Sequence, residues 1–316
     1  MRIRWRSLAI GGMVVVTCVA CAGESAPESD ATTAPARLMT PADLQALPVR
    51  EADHRVAYGE DASQHGELRV PPGAGPHPVA VLIHGGCWRE PYATLRDLAP
   101  MGDALKDDGV ATWNVEYRRL YQPGSGWPGT YLDVGRAVDH LRSIAPQYAL
   151  DLDRVVVVGH SAGGHLAMWT AARHRLSKES SLFVNDPLRV RGVVNLAGTM
   201  DMADNIARME TTCGDTVVTG MMGGTPAAVA ERYADASAIT KLPLGLPQAL
   251  IWGEHDDFVP LPLAQKYAQL ATQAGDSARV IVIPGAGHFE IASPLSSAWP
   301  EVRSTIRSLL DGRLPP

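Results

Sequence analysis

Three residue types that together activate an oxygen nucleophile follow one another along the chain. Ser161 sits in Gly159-His160-Ser161-Ala162-Gly163-Gly164, a carboxylate pair in Gly253-Glu254-His255-Asp256-Asp257-Phe258-Val259-Pro260, and His288 in Pro284-Gly285-Ala286-Gly287-His288-Phe289. A serine hydroxyl is a poor nucleophile at neutral pH; it becomes reactive when a histidine takes its proton and a carboxylate orients that histidine. The chemistry so assembled is acyl transfer. The Gly-x-Ser-x-Gly spacing adds geometry, because a serine lifted out of a strained strand-to-helix turn leaves no room for side chains two residues away on either side. The following helix would aim free N–H groups and the positive end of its dipole at the reacting centre. His288 is read as the base. Pattern alone does not separate Asp256 from its neighbour Asp257, and His160 and His255 read as packing or local hydrogen-bonding residues.

A bare Gly-x-Ser-x-Gly carries little weight in a chain with 30 glycines, so the flanking elements decide. Valines 155–158 form a continuous apolar run suited to a central parallel strand, and 165–172 suit a helix packed on the sheet. A leading antiparallel pair is predicted at 55–59 and 67–70, and further strands at 79–83, 111–115, 193–196, 249–252 and 280–283. Helices are predicted at 97–108, 130–143, 165–175, 261–274 and 297–310. Eight strands, mostly parallel, put Ser161 after the fifth and the acid and histidine loops after the seventh and eighth. All three loops then open on one edge of the sheet. Residues 200–240 are long enough to carry a small insertion near the site.

With 316 residues, 46% hydrophobic content and net charge −6, the chain can bury the core of one large α/β domain, expected over residues 51–316. The absence of a basic stripe argues against a nucleic-acid partner. No CxxC or Cys/His cluster is present, so neither a metal site nor a cofactor is predicted. Arg2, Arg4 and Arg6 precede a short apolar run, which reads as a signal peptide over residues 1–21. Val19-Ala20-Cys21 resembles a bacterial lipoprotein box that would make Cys21 a lipidated first residue; Ala20-Cys21-Ala22 is the competing site for release of an unanchored protein. Either route exports the chain, as an envelope lipoprotein attached to the membrane through its lipid or as a periplasmic or secreted protein. Residues 22–50, rich in Ala, Pro, Ser and Thr, read as a flexible tether. Whether Cys87 and Cys213 pair is a geometric question that spacing leaves open.

His84-Gly85-Gly86-Cys87-Trp88, Asn114-Val115-Glu116-Tyr117-Arg118, Trp127-Pro128 with Asp133, the 159–167 turn and the 253–260 loop together resemble the esterase/lipase branch of the α/β-hydrolases, which includes feruloyl-esterase-like (BD-FAE) domains and kynurenine formamidases. The resemblance covers nearly all of residues 54–312. It implies an eight-stranded α/β-hydrolase fold with helices on both faces. It also implies that Asp256, three residues after the loop glycine, is the acid. The N–H groups of Gly86, Cys87 and Ala162 would hold the oxyanion. As an aromatic residue of this loop, Trp88 is read as bordering the substrate, with packing in the core as the alternative. The cysteine of this loop departs from the commoner glycine or aromatic residue and is read as lining the pocket. The implied activity is hydrolysis of small or aromatic carboxylic esters. An arylformamidase acting on N-formylkynurenine and an inactive hydrolase-fold binding lipoprotein are the alternatives. Oligomeric state is not legible.

Overall fold

The computed structural model describes residues 37–204 and 206–314, together with Arg2, Gly11 and Gly12. The chain divides into two units, Met1–Arg37 and Leu38–Pro316. Of residues 1–36, which cover the expected signal peptide and most of the expected tether, only those three are described, and Cys21 lies outside the described residues.

The second unit is built on one sheet of eight strands: β1 (His54–Ala57), β2 (His65–Arg69), β3 (His77–Ile83), β4 (Ala111–Val115), β5 (Leu150–His160), β6 (Gly192–Leu196), β7 (Gln248–Gly253) and β8 (Ala278–Ile283). Their order across the sheet is β1-β2-β4-β3-β5-β6-β7-β8. The β1/β2 and β2/β4 pairs are antiparallel and all others are parallel. The central strands read as unbroken apolar runs because helices cover a parallel sheet: residues 79–83 and 155–158 are fully buried. At the edge, β8 is only partly covered, and Val282 is exposed.

The helices are α1 (Pro41–Gln45), α2 (Ala99–Asp107), α3 (Gly129–Asp139), α4 (Leu141–Tyr148), α5 (Ala162–Ala172), α6 (Ile206–Cys213), α7 (Val217–Met222), α8 (Ala230–Ala236), α9 (Leu261–Gln273) and α10 (Trp299–Leu310). Every residue of α5 is buried, as its Ala-Leu-Met-Trp composition requires of a helix set against the middle of the sheet. The helix expected over 130–143 is two helices, α3 and α4, meeting at His140, and the second ends where Ala149 turns left-handed at φ 49°.

One boundary is corrected. Residues 38–50 belong to the folded unit and not to a tether. Thr40 and Asp43 form a reciprocal capping box that starts α1, whose Leu44 is 1% exposed. The Met39 N–H donates to Glu290 Oε1, and the Arg50 N–H donates to Asp103 Oδ2 at 2.8 Å. A Thr-Pro-Ala-Asp start next to a single leucine carries too little apolar periodicity to be seen as a packed helix in a Pro/Ala-rich stretch.

Candidate active site

Ser161 lies between the last residue of β5 and the first of α5 with φ 54° and ψ −120°, a conformation that costs a non-glycine residue about 1–3 kcal/mol. The flanking glycines are sterically required. A Cβ on Gly159 would lie 2.0 Å from the Gly163 carbonyl oxygen, and one on Gly163 would lie 2.0 Å from that of Ile83. The turn is thus wedged against the end of β3 and holds the serine half-exposed at the sheet edge. Ala162, as the first residue of α5, has no intrahelical acceptor for its N–H.

The loops after β7 and β8 bring Asp256 and His288 together. His288 Nδ1 donates to Asp256 Oδ2 at 2.7 Å, and the other oxygen, Oδ1, accepts the N–H groups of Phe258 at 2.9 Å and Val259 at 3.0 Å. Asp257 is exposed, and its backbone oxygen accepts from Arg208. The choice between adjacent carboxylates is therefore made by geometry. Phe258 stacks on the His288 ring at 4.7 Å. His160 Nε2 donates to the His288 backbone oxygen at 2.9 Å, so the residue before the serine holds the loop that carries the histidine. Burial, with the adjacent His288 adding to it, lowers His160 to about 3, which keeps it neutral at working pH. His255 is exposed beside Glu254.

Gly85, Gly86 and Cys87 border the cavity that also holds Ser161 and His288. A Cβ on Gly85 would lie 3.0 Å from Ser161 Cβ, so this loop runs directly against the serine. Gly86, Cys87 and Trp88 all have positive φ, at 94°, 55° and 51°. Beneath the loop, His84 Nε2 donates to Glu116 Oε1 at 2.9 Å, its ring stacks on Tyr117 at 4.4 Å, and the Tyr117 hydroxyl donates to the His84 backbone oxygen at 2.8 Å. Burial would raise the Glu116 carboxyl, but the charge and hydrogen bond of His84, with Arg119 and the Tyr117 N–H, hold it down at about 2. The Asn-Val-Glu-Tyr-Arg motif is thus a support for the loop.

Trp88 is fully buried and borders a small recess beside Ser161, while its indole N–H is shared between the Ala162 backbone oxygen and His165 Nδ1, each at 3.1 Å. A large ring with one polar atom is stable inside when that atom is satisfied, and here the contact fastens the glycine loop to the first turn of α5.

The cavity measures about 230 Å³ and is mainly apolar. Its walls include Pro41 and Leu44 of α1, Tyr92, Thr212 of α6, Phe258 and Phe289. The α1 and α6 contributions were not legible in the sequence; the Thr40-x-x-Asp43 capping pattern was the one signal for the first. Cys87 and Cys213 are joined in a disulfide with Cα atoms 5.6 Å apart, which answers the pairing question and ties α6 to the glycine loop. Among the described residues no His/Cys/Asp/Glu cluster could hold a metal ion, and no helix is long and apolar enough to cross a membrane.

A family model described as BD-FAE matches residues 68–270. The chain belongs to the BD-FAE family. It is an esterase-branch α/β-hydrolase, and the eight-stranded, mostly parallel sheet is the one that branch implies. Esterase LipC of Mycobacterium tuberculosis is 27% identical over 280 residues, covering 86% of this chain and 69% of LipC. The probable carboxylic ester hydrolase LipM of the same organism is 26% identical over 243 residues, covering 74% of this chain and 56% of LipM. The chain thus spans only part of the length of these curated relatives. Among solved structures, esterase B from Lactobacillus rhamnosis superposes with a TM-score of 0.67 at 22% identity, over 84% of this chain and 89% of that one. The family match ends before His288, so the histidine's place rests on the geometry of the β8 loop.

Proposed function

We propose that this BD-FAE member is a serine carboxylesterase for small or aromatic esters, with Ser161 as nucleophile, His288 as base and Asp256 as the acid that orients it. The observation that carries the reading is the 2.7 Å Asp256–His288 hydrogen bond beside a serine held at φ 54° in the same cavity. In the reaction, Ser161 Oγ attacks the ester carbonyl as His288 Nε2 takes its proton. The imidazolium is stabilised through Nδ1 by Asp256. The oxyanion is held by the N–H groups of Gly86, Cys87 and Ala162. His288 then protonates the departing alcohol, and a water that it deprotonates hydrolyses the acyl-enzyme. Names borne by LipC and LipM support ester bonds as the target.

The cavity volume of about 230 Å³ favours short or aryl groups over long acyl chains. Initial rates on p-nitrophenyl acetate, butyrate and decanoate test this: at least one short ester should be turned over roughly tenfold faster than decanoate. Selective turnover of N-formylkynurenine would replace the esterase with the formamidase, a reading that the His-Gly-Gly-Cys-Trp loop keeps in view. Export, with Cys21 lipidated and the enzyme attached to the envelope membrane, is proposed from the N-terminal pattern. The Cys87–Cys213 disulfide supports an oxidising compartment. Membrane fractionation of wild type and Cys21→Ala tests the anchor: the wild type should sediment with membranes and the variant should not.

A further inference from the structure

The loop that borders Ser161 is held from two sides. On one, Trp88 is bonded through its indole to Ala162 and through its backbone oxygen to the Leu120 N–H at 2.7 Å. On the other, Cys87 is bonded to Cys213, the last residue of α6 and 126 positions away. A second link runs in parallel: Arg89 Nη1 donates to the Cys213 backbone oxygen at 3.3 Å. Gly214 leaves the room for it, since a Cβ there would lie 2.2 Å from that nitrogen. Between the two anchors, Gly86, Cys87 and Trp88 hold positive φ in succession. For Cys87 and Trp88 such backbone persists only where the surroundings over-determine it. The bond joins segments that follow β3 and β6, and the chain between the two cysteines carries β4, β5 and β6.

We infer that the Cys87–Cys213 disulfide is a positioning element of the oxyanion site, keeping the Cys87 N–H directed at the reacting carbonyl while α6 holds Thr212 against the substrate cavity. The inference rests on the esterase reading and goes beyond it by giving Cys213, which touches no reacting atom, a defined part in the rate. With the bond open, Cys87 relaxes toward negative φ and its N–H turns away from the oxyanion. Opening takes two electrons and two protons from a dithiol, giving two thiols and the dithiol's cyclic disulfide. Cys87 borders the cavity, so a small reductant reaches it.

The test compares the oxidised full-length protein, the same protein reduced with dithiothreitol, and Cys213→Ala. Each is measured for kcat and KM on p-nitrophenyl butyrate, for active sites titrated by a fluorophosphonate, and for affinity toward a trifluoromethyl ketone, whose serine adduct carries an oxyanion. A donor used only in the transition state lowers kcat and leaves KM alone. The expected result is a fall in kcat per titrated site of roughly tenfold or more, with an equal fall in ketone affinity, KM within about twofold, and recovery on reoxidation. Unchanged kcat per site in the reduced protein overturns the inference. So does a loss confined to the number of titratable sites, which marks a staple that only holds the fold, including the case in which Cys213→Ala fails to fold. If the oxidised wild type hydrolyses no ester, the esterase reading fails instead.

Discussion

His288 Nδ1 and Asp256 Oδ2 lie 2.7 Å apart with both side chains almost fully buried, while the adjacent carboxylate of Asp257 faces solvent. Two neighbouring acids with the same chemistry are thus separated by the turn between β7 and α9. It points the first inward and caps its second oxygen with two N–H groups.

Asp256→Asn should lower kcat on a p-nitrophenyl ester by roughly 10³–10⁴-fold, because an amide no longer favours the required imidazole tautomer or stabilises the imidazolium. Asp257→Asn should stay within about twofold of wild type, as expected of an exposed group outside the hydrogen-bond network. Steady-state kinetics of the two variants check this, and a larger loss at Asp257 reverses the assignment.

Gly163→Ala adds a methyl group where the Ile83 carbonyl oxygen would stand 2.0 Å away and that of His84 2.4 Å away. Backbone on a central strand yields little, so the variant should lose at least about 3 kcal/mol of stability. Denaturant unfolding against wild type measures it. A variant of undiminished stability would show that the turn is not wedged against β3.

A chain starting at Leu38 keeps the whole folded unit, whereas one starting at Glu51 loses α1, the Met39–Glu290 contact beside the His288 loop and two walls of the cavity. Removing Leu44 alone forfeits about 1.5–3 kcal/mol of burial. Thermal melts and ester kinetics should therefore rank the Glu51 start below the Leu38 start in both melting temperature and kcat/KM. Equal values would return residues 38–50 to the tether.

Acid should destabilise the fold in two stages. Burial lowers His160 to about 3 and His165 to about 4 from an ordinary 6.5, so below pH 6.5 the unfolded chain takes up protons that the folded chain refuses. Glu116, held at about 2 against an ordinary 4.5, adds stability that is complete above pH 4.5 and is lost as pH falls toward 2. The histidine effect lowers the melting temperature as pH drops from 6.5 to 4, and the Glu116 effect adds to it only below pH 4.5. A flat profile between pH 6.5 and 5 would contradict neutral, buried histidines.

The sheet was legible because its strands are apolar runs of the right length: all eight appear where the hydrophobic pattern puts them. β5 begins five residues before its valines, since Asp151, Asp153 and Arg154 at its polar start carry no strand signal. The serine turn and its partner loops were legible because glycines at fixed spacing mark backbone contacts that side chains would forbid. What could not be read depends on distance across the chain. The pairing of Cys87 with Cys213, the packing of Leu44 into the cavity wall and the burial of Trp88 under the glycine loop join residues with no local pattern between them. The three short helices between β6 and β7 escaped detection because segments of six to eight residues are too short to display a helical period.

The most direct test of the account is covalent labelling of the folded full-length protein with a fluorophosphonate, followed by peptide mass mapping and ester kinetics of wild type and Ser161→Ala. A single phosphonyl adduct on Ser161 is expected, with loss of ester turnover in proportion to labelling and a folded Ser161→Ala variant that neither labels nor turns over ester. An adduct on another residue, or substantial hydrolysis by Ser161→Ala, would contradict it.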